Sequence, residues 1–308
     1  MANKKKARKK QIGLWLEGAR LRTLPLAVAP VAIGAGAAAS NQSFSPLLSA
    51  LALAVALFLQ IGVNFANDYS DGIRGTDAKR VGPLRLTASK SAKPASVKAA
   101  AFAFFALAAL AGLAIVLLTQ VWWLLAVGVV AIIAAWFYTG GKNPYGYAAL
   151  GELSVFIFFG LVATVGTTVI QVKDFWQNDL LMIVTFAGAT AIGLFSSAVL
   201  MVNNIRDIDT DRHVSKRTLA VKAGKRWAKA IYFLFMWLPI VLLAPFPFFY
   251  PATFLAYASL LLVLPATLIV ATAKQPKELI LALKLTSFAA LVYSLALAYG
   301  LASISVSV

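Results

Sequence analysis

The feature that most constrains this chain is a series of long apolar segments, each about 20 residues in length. Nine can be read, at about 24–40, 46–66, 97–118, 121–139, 150–171, 180–202, 228–246, 251–272 and 282–304. About 20 apolar residues cross a bilayer as a helix, and the lipid interior admits only helices or closed barrels. Because 61% of the 308 residues are hydrophobic and 13% are charged, we predict an all-α polytopic membrane protein with nine transmembrane helices.

The positions of arginine and lysine predict which loops lie on which side of the membrane. Of the 28 Lys and Arg residues, all except Lys173 fall in the N-terminal segment or near loops that follow an even number of predicted spans. Short cytoplasmic loops retain positive charge, whereas translocated loops do not. We therefore expect a cytoplasmic N-terminus and an outside C-terminus, with a basic cytoplasmic segment at 1–22 and one transmembrane domain at 23–308.

The net charge of +17 does not indicate a nucleic-acid partner. The basic residues are spread over the loops of one predicted face, and no basic module interleaved with aromatic residues is present. Orientation in the bilayer and attraction to anionic lipid account for such a charge distribution. The lipid bilayer is therefore the expected large partner.

Six of the eleven acidic residues lie in, or just after, two short runs. The first run contains Asp68 and Asp71, with Asp77 just beyond, and the second spans 207–211. Each closes a predicted span at the cytoplasmic side, where carboxylates are costly and are kept mostly for function. Such residues commonly hold a divalent cation that in turn holds a phosphate.

Helical spacing predicts how the first run is presented. Gln60, Asn64, Asn67, Asp68 and Asp71 would form one polar stripe on an otherwise apolar helix, and that stripe must face the protein interior. Oxygen ligands of this kind suit Mg²⁺. We expect the glycines at positions 72 and 75 to end the helix and let the next loop fold over a ligand.

The second run is predicted to form a matching stripe through Asn204, Asp207 and Asp211. The two runs close the second and the sixth predicted spans. Because an even number of crossings separates them, both runs lie on the same side of the membrane and both spans cross it in the same direction. Both contain Asn-x-x-x-Asp, at Asn67–Asp71 and Asn203–Asp207. This pattern predicts a parallel pseudo-repeat, with a first half at about 23–149 and a second half at about 150–308.

A diphosphate bound to such a site would need cations as well as a metal. The candidates are Lys79, Arg80, Arg85, Lys142, Lys216 and Arg217. Tyr138 lies four residues before Lys142 in a short Gly-rich loop, which favours a role at the site for both. The alternative for any single residue is structural: interfacial aspartates cap helices, basic residues set topology and tyrosines anchor at the interface.

These motifs resemble the UbiA superfamily of intramembrane prenyltransferases, over essentially the whole chain. The first family motif maps on Asn67 and Asp71, with Asp77 displaced by two residues, because Gly75 stands where many members carry an aspartate. The second motif maps on Asp207 and Asp211. The family's Tyr-x-x-x-Lys element maps on Tyr138–Lys142.

Five stretches are similar to the superfamily members that prenylate 1,4-dihydroxy-2-naphthoate. They are 20–25, 67–71, 82–85, 145–147 with 151–152, and 203–207 with 216–219. This resemblance implies transfer of a polyprenyl group from polyprenyl diphosphate to the naphthoate in a bacterial plasma membrane, with loss of diphosphate and carbon dioxide. It also implies that Mg²⁺ is held by Asp68, Asp71, Asp207 and Asp211.

In that interpretation Asn64, Asn67 and Asn204 order the ligands, and Arg22 or another cytoplasmic cation binds the acceptor carboxylate. Other interpretations remain open. A sister enzyme acting on hydroxybenzoate, homogentisate or haem would share the metal site. A transporter would place its charges nearer the bilayer midplane, and a CDP-alcohol phosphotransferase would carry a single compact Asp-rich signature.

Overall fold

A computed structural model describes residues 2–76, 84–214 and 216–303, and this part of the chain contains helices and no strand. The α-helices are α1 Ala2–Ala19, α2 Pro25–Ser40, α3 Pro46–Arg74, α4 Pro94–Thr119, α5 Leu124–Phe137, α6 Gly151–Val155, α7 Ala163–Val169, α8 Asp179–Arg206, α9 Ile208–His213, α10 Leu219–Leu242, α11 Phe246–Phe249, α12 Leu260–Thr272 and α13 Leu279–Ala302. A π-helical segment, Phe156–Val162, joins α6 to α7. The predicted all-α class is confirmed.

Among the described residues, seven helices are long and apolar enough to cross a membrane. An eighth candidate is a pair of helical segments, Gln11–Thr23 and Pro25–Ser40, that meet at a bend of 46°. The remaining predicted span corresponds to α5, a shorter apolar helix of 14 residues. The chain is therefore a multi-pass membrane protein with seven or eight candidate spans.

The helices pack through small residues, which let helix backbones approach closely. In a bilayer this close packing matters because lipid tails are as apolar as side chains, so hydrophobic burial does little to drive helices together. Gly160, in the π-helical segment, lies directly against Gly193 of α8. A Cβ added at Gly160 would stand 2.6 Å from the Cα of Gly193. Elsewhere α3 packs on α4, α2 on α13, and α8 on α10. Helix α8 is the most enclosed of the candidate spans, since 72% of an 18-residue apolar stretch within it is buried.

The first polar stripe is confirmed as interior-facing, since Gln60, Asn64, Asp68 and Asp71 are all buried on α3. The expected helix break at Gly72 is wrong. Helix α3 continues through that position to Arg74 and is capped by Gly75, whose φ of 72° is left-handed. Gly72 instead gives room to the following loop.

The second stripe differs from its prediction, because α8 ends at Arg206 and a separate short helix, α9, begins at Ile208. Asn204, Asp207 and Asp211 therefore do not lie along one continuous helix. All three side chains are nevertheless buried.

Candidate active site

A cavity of about 440 Å³ lies among α2 to α8, and its wall is mostly apolar with a smaller number of polar residues. The polar lining residues are Arg20, Thr23, Gln60, Asn64, Asn67, Tyr138, Tyr145, Ser154, Thr167, Ser196 and Asn203. Five of these eleven residues come from α3 and α8, the helices that carry the two aspartate motifs. A small, mostly apolar cavity with a few convergent polar groups is the usual form of a ligand site.

The carboxylate of Asp71 lies between a phenol and a guanidinium. The Tyr147 hydroxyl donates a 2.6 Å hydrogen bond to Asp71 Oδ1. On the other side, Arg85 Nη2 lies 3.7 Å from Asp71 Oδ2. The structure therefore brings together the predicted metal ligand Asp71 and the predicted diphosphate cation Arg85.

Asp68 organises the segment that follows the first motif. Its two carboxylate oxygens accept the backbone N–H groups of Leu86 and Thr87, each at 2.8 Å, and the residue is 1% exposed. Gly72 lies beneath the same segment, and a Cβ there would stand 2.5 Å from the Thr87 side chain. Asp68 thus fixes the backbone beside Arg85, in addition to the ligand role predicted for it.

The amides of the first stripe hold the turn between α1 and α2. Asn64 Nδ2 donates to Ala19 O at 3.0 Å and to Thr23 Oγ1 at 3.2 Å. Gln60 Nε2 donates to the same threonine hydroxyl at 3.0 Å. Asn64, predicted to order metal ligands, therefore contacts the N-terminal turn.

The loop after α5 is attached to the end of α3. The Thr139 hydroxyl donates to Asn67 Oδ1 at 2.8 Å, and the Arg74 guanidinium donates to the carbonyls of Thr139 and Gly141. Tyr138 lines the cavity, whereas Lys142 is exposed. The structure brings Asn67 and Tyr138 to the cavity and leaves Lys142 on the loop surface.

In the second motif, each aspartate faces a cation close to it in sequence. Asp207 forms a bidentate ion pair with Arg206, with both N–O distances at 2.7 Å. Asp211 Oδ1 lies 3.8 Å from Lys216 Nζ. Lys216, predicted as a diphosphate cation, is thus beside the second motif.

A buried glutamate, Glu152, accepts a hydrogen bond from α8 next to the second motif. Asn204 Nδ2 donates a 2.9 Å hydrogen bond to Glu152 Oε1, and Glu152 is 3% exposed. The Ser197 hydroxyl donates to the Glu152 carbonyl at 2.9 Å. Asn204 therefore attaches α8 to α6.

Tyr147 connects the two motifs, and sequence reasoning did not select it as a site residue. Besides its bond to Asp71, its carbonyl accepts the backbone N–H of Arg217 at 3.0 Å, and Lys216 Nζ stands 5.1 Å from its ring centroid. Burial, and then the charge of Asp71, raise the pKa of the Tyr147 phenol, so the hydroxyl stays a donor. The feature of the sequence that could have pointed to Tyr147 is its position in the Gly-rich loop after the fourth predicted span, on the same predicted side of the membrane as both Asp runs.

Other predicted site residues lie at the margin or outside the described part. Arg22 and the Arg217 side chain are exposed. Asp77, Lys79 and Arg80 lie outside the described residues, and the roles predicted for them stay predictions.

The donor atoms fit a magnesium ion that is shared with a substrate. Within residues 2–76, 84–214 and 216–303, no three acidic, histidine or cysteine side chains converge as a metal cluster. Mg²⁺ commonly binds through one or two carboxylates together with substrate phosphates. Asp71 and the second-motif aspartates provide oxygens of that kind, with cations beside them.

Comparison with known sequences identifies the family. Residues 27–292 match the UbiA prenyltransferase family. The 1,4-dihydroxy-2-naphthoate octaprenyltransferase of Mycobacterium tuberculosis is 47% identical over 289 residues, which cover 94% of this chain and 96% of that protein. The enzyme of the same name from Escherichia coli is 37% identical over 241 residues, with 76% of each chain covered.

Solved structures share the fold at low sequence identity. A UbiA homologue from Archaeoglobus fulgidus, bound to GPP and Mg²⁺, has a TM-score of 0.65 and 15% identity and covers 94% of this chain and 100% of its own. The apo structure of a UbiA homologue from Aeropyrum pernix K1 has a TM-score of 0.65 and 17% identity, covering 90% and 96%. The chain therefore belongs to the UbiA prenyltransferase family.

Proposed function

We propose that this protein transfers a polyprenyl group from polyprenyl diphosphate to 1,4-dihydroxy-2-naphthoate. Diphosphate and carbon dioxide are released, and the product is a demethylmenaquinol, the hydroquinone that gives demethylmenaquinone when it is later oxidised. This acceptor is supported by the relatives from M. tuberculosis and E. coli, which are 1,4-dihydroxy-2-naphthoate octaprenyltransferases. The observation that carries the proposal is the mostly apolar cavity, whose polar lining residues include Asn64 and Asn67 of α3 and Asn203 of α8, the helices that carry the two aspartate motifs.

The diphosphate would bind where Tyr147 joins the two motifs. Asp71, Asp207 and Asp211, with Asp68 as a further predicted ligand, would hold Mg²⁺ there. When bound, the ion would stabilise the charge that develops on the leaving diphosphate. Arg85, Lys142, Lys216 and Arg217, with Lys79, would neutralise the remaining charge through charge-assisted hydrogen bonds.

Side chains of the loop and the first stripe would position these groups. Tyr147 holds Asp71, Thr139 holds Asn67, and Asp68 fixes the backbone next to Arg85. Charge stabilisation is most effective when the charged groups are oriented before the bond breaks. Tyr138, which lines the cavity, would contact the substrate between the diphosphate and the ring.

The apolar wall would shield the reactive allylic carbon and hold the prenyl tail. Phe158 and Phe159 line the cavity with aliphatic residues from α2, α4 and α5. Excluding water prevents hydrolysis of a reactive intermediate. Three lining residues, Leu113, Leu125 and Val129, are exposed, as expected for a cavity that is open at α4 and α5 and could admit a long tail from the lipid.

The positive-charge pattern supports an orientation in which the site faces the cytoplasm. We propose nine spans, counting α2 and α5, with a cytoplasmic N-terminus, an outside C-terminus and a location in a bacterial plasma membrane. Residues 1–22 would form the basic cytoplasmic segment. Residues 23–308 would form one domain of two parallel halves, about 23–149 and 150–308.

The test is prenyl transfer by the purified full chain in lipid, with Mg²⁺ and a polyprenyl diphosphate. Dihydroxynaphthoate and hydroxybenzoate are offered in parallel. We expect prenylated naphthoate, and a loss of roughly 100-fold or more in Asp71→Asn and Asp211→Asn, as for other removed charge-stabilising groups. Asp209→Asn is the matched control, because Asp209 lies on α9 beside Asp211 and is exposed.

Different outcomes separate the alternatives. Transfer to hydroxybenzoate alone would retain the site and overturn the acceptor. Absence of transfer to either acceptor, with ion or substrate flux across vesicles that depends on Asp71, would favour a transporter. Full activity in both aspartate variants would overturn the assignment of the site.

A further inference from the structure

Arg20 is the single charged side chain among the residues that line the described cavity. The aspartates of both motifs and the cations paired with them do not belong to that lining. An anionic group that enters this cavity therefore meets one permanently charged cation, Arg20. The proposed diphosphate site, by contrast, has several cations. Arg22, selected from the sequence for this role, is exposed and does not line the cavity.

The backbone at Arg20 is held in an unusual conformation. Its φ of 54° and ψ of 58° lie in the left-handed region, which is unfavourable for a residue with a Cβ. Such conformations persist where surrounding contacts enforce them, and they cluster at functional sites. The conformation ends α1 and turns the chain toward α2.

A network of hydrogen bonds enforces this turn. The backbone N–H and the hydroxyl of Thr23 donate to the Arg20 carbonyl at 2.8 and 2.9 Å. Gln60 and Asn64 in turn donate to the Thr23 hydroxyl, and Asn64 also donates to the Ala19 carbonyl. Two buried amides of α3 thus fix the backbone on both sides of Arg20.

The position of this turn relates Arg20 to the reaction site. Gln60, Asn64 and Asn67 lie on consecutive turns of α3, and all three line the cavity. Asn67 is held by Thr139, next to the Tyr138 side chain in the lining. Arg20 therefore lies on the same polar wall that leads to the first aspartate motif.

We propose that Arg20 binds the carboxylate of the aromatic acceptor inside the cavity and so selects aromatic acids as acceptors. This inference rests on the proposed function, which supplies an acceptor of that class. A guanidinium suits the task because its fork of N–H donors matches a carboxylate. The diphosphate has cations of its own beside the motifs, in Arg85 and Lys216.

The test measures binding without turnover, using the purified full chain in detergent. The probes are 1-hydroxy-2-naphthoate, 1-naphthol, which lacks the carboxylate, and inorganic pyrophosphate with Mg²⁺. Calorimetric titration gives each Kd. We expect the naphthoate to bind about 10- to 100-fold tighter than the naphthol, the range for hydrogen bonds to charged groups.

The main variant is Arg20→Asn, since asparagine accepts the left-handed conformation and keeps the turn. We expect it to abolish the preference for the carboxylate and to leave pyrophosphate binding unchanged. Arg20→Lys keeps the charge without the fork and should restore part of the preference. Arg226→Asn, which removes an exposed arginine of α10, is the control and should change neither.

Two results would overturn the inference. One is a carboxylate preference that survives in Arg20→Asn, or that disappears in Arg22→Asn instead. The other is a loss of pyrophosphate binding in Arg20→Asn with the preference intact, which would place Arg20 at the diphosphate. A carboxylate preference that depends on Arg20 in a protein that prenylates no acceptor would uphold this site and reject the proposed reaction.

Discussion

The first aspartate motif lies inside a helix, whereas the second lies across the end of one. Asp71 is three residues before the end of α3, while Asp207 follows the last residue of α8. Consequently Asp71 contacts partners distant in sequence, Tyr147 and Arg85. Asp207 pairs with its own neighbour, Arg206. Equal spacing in sequence therefore does not give equal surroundings.

The two motifs also differ in the parts of the chain that they contact. The first motif holds loop segments in place through Asp68, Asn67 and Arg74. The second is built on α8, the most enclosed candidate span, and Asn204 of α8 is bonded to the buried Glu152. We infer that the first motif positions the loops at the site and that the second presents its aspartates from the buried part of the helix bundle.

Breaking the buried ion pair of the second motif should have the largest effect. Arg206→Ala leaves the buried Asp207 carboxylate without its bidentate partner, and such losses cost about 3–5 kcal/mol of stability. Arg85→Ala should cost less, because its closest approach to Asp71 is 3.7 Å and Tyr147 still donates to that carboxylate. Thermal unfolding in detergent compares the two Tm values, and equal losses would contradict the distinction.

Asp68→Ala tests the anchoring role in the first motif. It leaves the buried N–H groups of Leu86 and Thr87 without their acceptor, at about 1–3 kcal/mol for each. Asp68→Asn keeps one acceptor oxygen and should be intermediate. The Mg²⁺ dependence of activity provides the second readout: we expect a smaller shift in Asp68→Asn than in Asp71→Asn, and a larger one would make metal binding the main role of Asp68.

Gly72→Ala tests how tightly the segment after α3 is packed. The new Cβ would stand 2.5 Å from the Thr87 side chain, and overpacking of this kind costs about 1–3 kcal/mol. Gly75→Asn is the control, since asparagine tolerates the left-handed conformation and a Cβ there meets nothing within 4 Å. Limited proteolysis of the loop should increase in the first variant only, and similar cleavage in both would reject this packing argument.

Tyr147→Phe should have the smallest effect, about 1 kcal/mol for one hydrogen bond. The pH dependence identifies its origin. Because burial and Asp71 raise the pKa of the folded phenol, the folded state retains a proton that the unfolded state loses above about pH 10. The stability difference between wild type and variant should therefore be constant from pH 6 to 9 and shrink above about pH 10. A difference that changes between pH 6 and 9 would implicate another group.

Much of the site was predictable, because helical periodicity places polar residues on one face whatever the neighbours are. The polar stripe of α3 follows this rule. The contact of Tyr147 with Asp71 does not, since it joins residues 76 positions apart. Nor did the spacing reveal that α8 stops at Arg206, so the expected second stripe was broken.

The sequence by itself determined an all-helical membrane chain, its family and the residues that face inward. Long apolar segments and helical spacing are local properties, and the bilayer permits few other solutions. Only the tertiary structure decided that Arg20 and not Arg22 lines the cavity, that Asp68 holds a backbone segment, and that Tyr147 links the motifs. These features depend on where helices end and how loops cross, which is set by packing between segments distant in sequence.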